Sequence, residues 1–293
     1  MFKKTLILFM LLLLFSSCSS DYDKRLRISA TTWIGYVPLF YAKEKGWLDP
    51  LNIKLLHVSS LAENMYLYHA GNSDAYVGTQ YEYELTSKEN PSVKPIIMFD
   101  KSNGGDIVMG NISIEELKST TTQINAYLEL DSVNNTLIKD FLSKYKLEDK
   151  NINYINRDQA KIKLLTASKT PTIIVTYIPY NLFLEKQGFI ELASTKSSLD
   201  LIVIDAMFTK MEVFDEYKKQ FRELKKLVDK SVEAIKKDPK EVYKTIKPYL
   251  EDMSYDDFKN SLGDIEWINK DISSELSERL NKASFPTRDL ISL

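Results

Sequence analysis

The side chains best able to do acid–base chemistry in this sequence are aspartates: Asp106 in "SNGGDIVMG", Asp131 in "ELDSVNN" and, within an apolar run, Asp205 in "LIVIDAMF". A carboxylate acts as a general acid or base with a proton-transfer partner in hydrogen-bond reach, most often a histidine. The chain has 2 histidines. His57 falls in a strand-like run and His69 near a helix end, and both read as structural. With 1 cysteine in addition, there is little to build a transition-metal site from, and no metal or cofactor is expected. The aspartates keep company instead with glycines, hydroxyls and aromatics, a mixture suited to holding a small molecule.

The densest such mixture is "TTWIGYVPLFYAKEKGW", residues 31–47, which puts a Trp, a Gly, a Tyr and a Pro on one turn and then enters a helix. Bulky aromatics on a turn need either a cleft to line or a sheet end to cover. The elements around them decide what they can do.

At the start, "MFKKTLILFMLLLLFSSC" has two lysines, an apolar run too short to span a bilayer comfortably, and small residues before Cys18. This reads as a signal peptide over residues 1–17. "FSSC" resembles a lipobox, with Phe15 where Leu is usual, which makes Cys18 the lipidation site and residues 18–24 a lipid-anchored tether. Cys18 is the only cysteine, so no internal disulfide can form, and stability must come from the core. Composition allows that: 44% hydrophobic and 27% charged residues are ordinary globular values, and a net charge of -2 gives no reason to expect nucleic acid as a partner.

Along the rest of the chain strand and helix patterns alternate. "RLRISAT" alternates apolar and polar residues, "PLFYAKEKG" has Pro38 for a first helical turn and Gly46 for its end, and "NIKLLHVS" is strand-like again. That is a βαβ unit with parallel strands. Helix "AENMYLYHAG", strand "DAYVGT", helix "YEYELTSKE" and strand "KPIIMFD" continue the rhythm. After the Gly-Gly pair come helix "SIEELKS", whose Ser113 and Glu116 have capping-box spacing, strand "TQINAYLEL", helix "SVNNTLIKDFLSKY" and strand "NINYIN". Helix "DQAKIKLLTAS", strand "PTIIVTY", helix "PYNLFLEKQG" and the apolar run "LDLIVIDAMF" follow, and from there the pattern is helical to the end. Residues 214–235 carry one apolar stripe. The fold class is α/β.

In an open parallel sheet, ligands sit outside the carboxyl ends of the strands, where loops run into helix N-termini. "TTWIGY" is such a loop, with Gly35 able to bring backbone close to a ligand. By itself this leaves open whether Trp33 and Tyr36 line a cleft or cover the sheet end.

"WIGYVPLFYAKEKGWL" resembles the signature of the bacterial periplasmic substrate-binding proteins for nitrate, alkanesulfonates, taurine and thiamine-pyrimidine precursors. "AGNSDAYVG", "DKSNGGDIVM", "ELDSVNNTLI" and "TYIPYNLFLEKQG" are similar, in order, to further segments of that family. The resemblance spans essentially the whole mature chain. It implies a two-lobed periplasmic-binding-protein fold of type II, with lobe I formed by residues 25–110 plus 207–293 and lobe II by 111–206. Hinge crossings are expected near 104–111 and 199–206.

The resemblance also implies a non-enzymatic role: a monomeric, exported lipoprotein that faces the periplasm or cell exterior, closes over a small solute and delivers it to an ABC permease. A ligand-sensing lipoprotein that reports to a receptor is the alternative, followed by a same-fold enzyme of pyrimidine-precursor or menaquinone biosynthesis. Matching positions nominate Trp33, Gly35 and Tyr36; Thr79, Gln80 and Tyr81; Gly104, Gly105 and Asp106; Asp131, Ser132 and Asn134; Tyr177 and Tyr180; and Asp205 as ligand-facing. Asp131 stands where many relatives have Gly, Ile178 replaces a usual Glu, and the nominated set has no arginine. Like-charge repulsion at Asp131 then disfavours a sulfonate or nitrate. A neutral or amine-bearing solute, with aromatic character allowed, is expected over an anion.

Overall fold

The computed structural model describes residues 22–196, 198–283 and 285–291. The signal peptide and Cys18 lie outside the described residues. The alternation of strand and helix resolves into a 6-stranded and a 5-stranded sheet.

In the first sheet β1 (Leu26–Ala30), β2 (Ile53–His57) and β3 (Ala75–Thr79) are parallel, with β1 in the middle. The helix Val37–Glu44, started by Pro38 in its first turn, joins β1 to β2 as the pattern requires. β10 (Ile204–Lys210) runs antiparallel between β3 and the long β4 (Val93–Ser102), and the short β11 (Ile265–Trp267) closes the edge antiparallel on β4. The second sheet has the order β7-β6-β8-β5-β9. There β6 (Ile124–Leu128) lies between and parallel to β7 (Ile152–Asn156) and β8 (Thr172–Tyr177), while β5 (Asp106–Gly110) is antiparallel to β8 and to β9 (Ile190–Ser194).

The largest buried apolar cluster runs from behind the first sheet across the junction to Ile107, Ile174 and Tyr177 of the second, and smaller clusters lie against each sheet. The apolar stripe after β10 becomes two helices, Met211–Glu216 and Lys218–Lys237, interrupted at Tyr217. The second buries Phe221, Leu224 and Val228 completely among the side chains behind the first sheet. Leu137, Ile138 and Phe141 of the helix Val133–Tyr145 do the same for the second.

Several elements depart from the sequence reading. β5 belongs to the second sheet although the expected boundary lay after it, and residues 204–206 belong to β10 in the first. The chain changes sheets in a tighter turn than expected, at residues 103–105, because Gly104 adopts a φ of 127° and Asn103 and Gly105 both donate N–H bonds to the Asp264 carbonyl, at 2.8 and 3.1 Å. "DQAKIKLLTAS" forms only the one-turn helix Gln159–Ile162. β9 and β11 are edge strands absent from the sequence reading, β9 exposed at Ile190 and Glu191 and β11 only three residues long.

The return crossing, residues 195–203, is stitched to the outgoing one. Ser102 N–H donates to the Val203 carbonyl at 2.9 Å, Gly104 N–H donates to Thr195 Oγ1 at 3.0 Å, and the Ser102 and Thr195 hydroxyls lie 2.7 Å apart.

Candidate functional site

The crossing segments bring the ends of both sheets against one another, and the polar residues collected there are unusually acidic. The β1 loop supplies Trp33, 6% exposed and extended in backbone, followed by a single 3-10 turn over Ile34–Tyr36. Trp33 Nε1–H donates to Asp100 Oδ1 at 3.2 Å, and Tyr36 Oη–H donates to Asp205. Gly35 makes this arrangement possible: a Cβ there would lie 1.8 Å from Asp100 Oδ2 and 2.5 Å from Trp33 Nε1. Gly105 plays the same part from the crossing, since its Cβ would fall 2.3 Å from Trp33 Cη2. Both glycines serve to let the indole lie flat between carboxylate and backbone.

From the second sheet Tyr177 meets Trp33 edge to face at 6.0 Å and Tyr180 at 5.3 Å. Trp33, Tyr36, Thr79, Asp106, Tyr177 and Asp205 share a cavity of about 20 Å³, completed by Thr31, Leu61, Val133 and Val203. That space is about one water. Behind Trp33 lies a second gap of about 10 Å³, walled by Phe40, Ile178, Pro179, Tyr249 and Met253 among others. The indole is a partition between them.

The remaining nominated residues have other positions. Gly104 turns the crossing. Gln80 accepts the Ile204 N–H at 2.7 Å through Oε1 and donates to the Ile202 carbonyl, so its side chain holds the return crossing. Tyr81 is half-buried and lines an outer groove with Gln80, Asp200 and Arg279. Ser132 caps the helix Val133–Tyr145, accepting from Asn134 N–H at 3.2 Å and donating to the Glu129 carbonyl at 2.8 Å. Asn134 is fully buried with its side-chain amide unpaired, and Tyr180 is buried behind Tyr177.

Asp131 needs a correction. Its side chain is exposed on the turn, outside the cavity, because Ser132 rather than Asp131 faces the helix N-terminus. The buried acid of this segment is Glu129, 3% exposed, at the end of β6.

Glu129 is one of three buried acids at the junction that the motifs did not nominate; Asp100 and Glu82 are the others, and a fourth, Asp289, accepts the Met98 N–H away from it. Asp100 and Glu129 stand at or just past the carboxyl ends of β4 and β6, and that position alone is a signal for cleft residues in such sheets. Glu82 completes a Thr-x-x-Glu capping box with Thr79, whose N–H and hydroxyl donate to Oε2 at 2.8 and 2.6 Å. Its other oxygen, Oε1, accepts the Val133 N–H from the second sheet's helix at 3.2 Å. One buried carboxyl thus ties the first sheet to the second.

Taking a carboxylate out of water disfavours its charged form. Burial pushes the Asp106 carboxyl up to about 7, with the Ser102 hydroxyl offsetting and the Glu82 charge adding to the rise. Burial pushes Glu129 up to about 8, helped by Asp158 and Glu82. Asp100, Asp205 and Glu82 are raised by burial as well. Several polar atoms of the group have no hydrogen-bond partner among the described residues: Asp100 Oδ2, Asp106 Oδ2, both Glu129 oxygens and the Tyr177 hydroxyl. His57, by contrast, has its ring bonded to the Thr32 hydroxyl at 2.8 Å and packed on Phe40 and Tyr249, away from the acids.

Two α/β lobes joined by two adjacent crossings, with a cleft at the junction, define the binding-protein class of architecture. No protein-family model matches the sequence, and no curated protein matches it. Solved structures match throughout. The ligand-binding component of an ABC-type import system from Staphylococcus aureus, solved with zinc bound, is similar with a TM-score of 0.71 and 14% identity over 92% of this chain and 98% of that one. The alkanesulfonate-binding protein of Xanthomonas axonopodis pv. citri, bound to MOPS, reaches 0.68 at 11% identity over 93% and 98%. A Candida albicans protein described as exhibiting the generic periplasmic binding protein fold reaches 0.64 at 12% identity over 91% and 92%.

The chain therefore has the periplasmic-binding-protein fold, as its motif order implied. Among the described residues no helix is long and apolar enough to cross a membrane.

Proposed function

We propose that the protein is an extracytoplasmic solute-binding lipoprotein, anchored through Cys18, that captures a small molecule between its lobes and presents it to an ABC-type importer. In this reading lobe I is built on the 6-stranded sheet and lobe II on the 5-stranded one, with residues 103–105 and 195–203 as hinges. Binding proteins of such architecture close by hinge motion, and the closed form is what a partner can recognise. The observation that carries the reading is the junction itself: the unpaired, buried Asp106 Oδ2 and Tyr177 hydroxyl belong to lobe II and line a cavity whose other wall is Trp33, Tyr36, Thr79 and Asp205 of lobe I. Buried polar groups are nearly always satisfied in folded proteins, so a concentration of exceptions in a cleft marks a place for a ligand.

The cavity of about 20 Å³ is too small for a solute, so access requires the lobes to part. The acids around it favour a neutral or amine-bearing solute over an anion, the role first given to Asp131 passing to Glu129 and Asp106. Thermal-shift screening of residues 19–293 against a library of small metabolites tests the function. A ligand that prefers the native state raises its melting temperature, and a screen in which no solute does so contradicts the proposal.

A further inference from the structure

Resting on that solute-binding reading, we propose that the solute is an organic cation, a protonated amine, held between the Asp106 carboxylate and the Trp33 and Tyr177 rings, and that its capture expels a proton from the cleft. The argument starts from the charge inventory of the junction. Glu82, Asp100, Asp106, Glu129 and Asp205 are each no more than 3–4% exposed. Among the described residues the buried basic side chain is Lys225, which lies on the outer helix and is bonded to Asp229 at 2.7 and 2.8 Å. Lys163 sits 5.8 Å from the Tyr180 ring centre and is held by Glu251. A site so loaded with one sign, and with oxygens of Asp100, Asp106 and Glu129 unpaired, lacks its countercharge.

The walls narrow the choice of cation. Trp33 and Tyr177 present an indole and a phenol at 6.0 Å in an edge contact, and Tyr180 follows at 5.3 Å. Ring faces that become available when the lobes part attract a desolvated ammonium group. A metal ion is the poorer fit, because among the described residues no three carboxylate, imidazole or thiol groups are placed to hold one.

Proton release follows from the surroundings of Asp106. It faces Asp100 on β4, Asp205 on β10, Glu82 on the helix Gln80–Glu89 and Tyr177 on β8, with Tyr36 bonded to Asp205 nearby. Glu129 faces Glu82, Asp158, Tyr177 and Tyr180. Every near neighbour is acidic or neutral, so no positive charge opposes the rise, and Asp106, pushed up to about 7, and Glu129, pushed up to about 8, still bind protons in the neutral range. A cation arriving beside Asp106 stabilises its ionised form, the O–H bond breaks, and the proton leaves to solvent.

The test is isothermal titration of residues 19–293 with choline, ethanolamine and tetramethylammonium, set against taurine, methanesulfonate and nitrate, at pH 6 and pH 8 in buffers of different ionisation enthalpy. We expect a cation to bind with uptake of about one proton by the buffer, and its affinity to rise by up to tenfold per pH unit between pH 6 and 7. Asp106→Asn, and separately Glu129→Gln, should flatten that slope while the protein still shows a cooperative melt. Binding of an anion or neutral solute alone overturns the cation inference, cation binding indifferent to pH in both variants and the parent overturns the proton release, and either result leaves solute binding standing. Absence of binding by these compounds and by every compound in the metabolite screen overturns both.

Discussion

Replacing Asp106 by Asn should reverse part of the protein's pH dependence. The Asp106 carboxyl is raised from 3.8 to about 7 by burial, so between those values the folded protein holds a proton that the unfolded chain has lost. Stability then falls as pH rises through this window. Three units at 1.36 kcal/mol each amount to about 4 kcal/mol once pH exceeds 7, of which roughly 2–3 kcal/mol develops between pH 5 and pH 8. Asn has the same shape, still accepts from the Ser102 hydroxyl and does not titrate. Urea unfolding at pH 5 and pH 8 should therefore show the parent losing more stability than the variant, by roughly 2 kcal/mol or more, with the variant the more stable at pH 8. Glu129, Asp100, Asp205 and Glu82 are raised in the same direction, so the variant keeps some slope of that sign. Equal pH slopes in the two proteins, or a parent more stable at pH 8 than at pH 5, would refute the reasoning.

Other substitutions test separate parts of the structure. Gly35→Ala drives a methyl to 1.8 Å from Asp100 Oδ2 and should cost about 1–3 kcal/mol of stability by overpacking; an unchanged urea midpoint would remove the close approach from the account. Glu82→Ala leaves the Thr79 and Val133 N–H groups without their acceptor, a loss of about 1–3 kcal/mol, and should speed amide exchange at Val133 on the opposite lobe. Cys18→Ser should move the protein from the membrane fraction to the soluble one, and a protein that stays membrane-bound would rule out lipidation there.

Much of the architecture was legible because each local signal agreed with the global one. Pro38 opens its helix, Ser113 and Glu116 form their capping box, and the βαβ unit pairs in parallel from Leu26↔Ile53 to Ala30↔His57. β9 and β11 gave no such signal, being short strands at sheet edges with little to bury. The sheet assignment of β5 hinged on the φ of Gly104 and on two bonds to the Asp264 carbonyl, a partner that no local pattern could supply.

At the site, the aromatics and the loops they occupy were readable from position. Which acid faces inward was not, because a one-residue shift at Ser132 sends Asp131 to solvent while Glu129 stays buried. In the sequence Asp100 ends the strand pattern "KPIIMFD" and Glu82 falls inside the helix pattern "YEYELTSKE". Their part in the junction appears only when the two sheets are brought together.

The central claim is that a solute closes two lobes about the crossings, and an inter-lobe distance tests it most directly. Residues 19–293 contain no cysteine, since Cys18 is the only one, so single cysteines placed at exposed Lys54 on β2 and exposed Lys139 on the helix Val133–Tyr145 can carry spin labels without background. The account predicts a broad or long distance distribution without solute that shortens and narrows when a solute selected by the thermal-shift screen is added. A distribution unchanged by a solute that binds would contradict it.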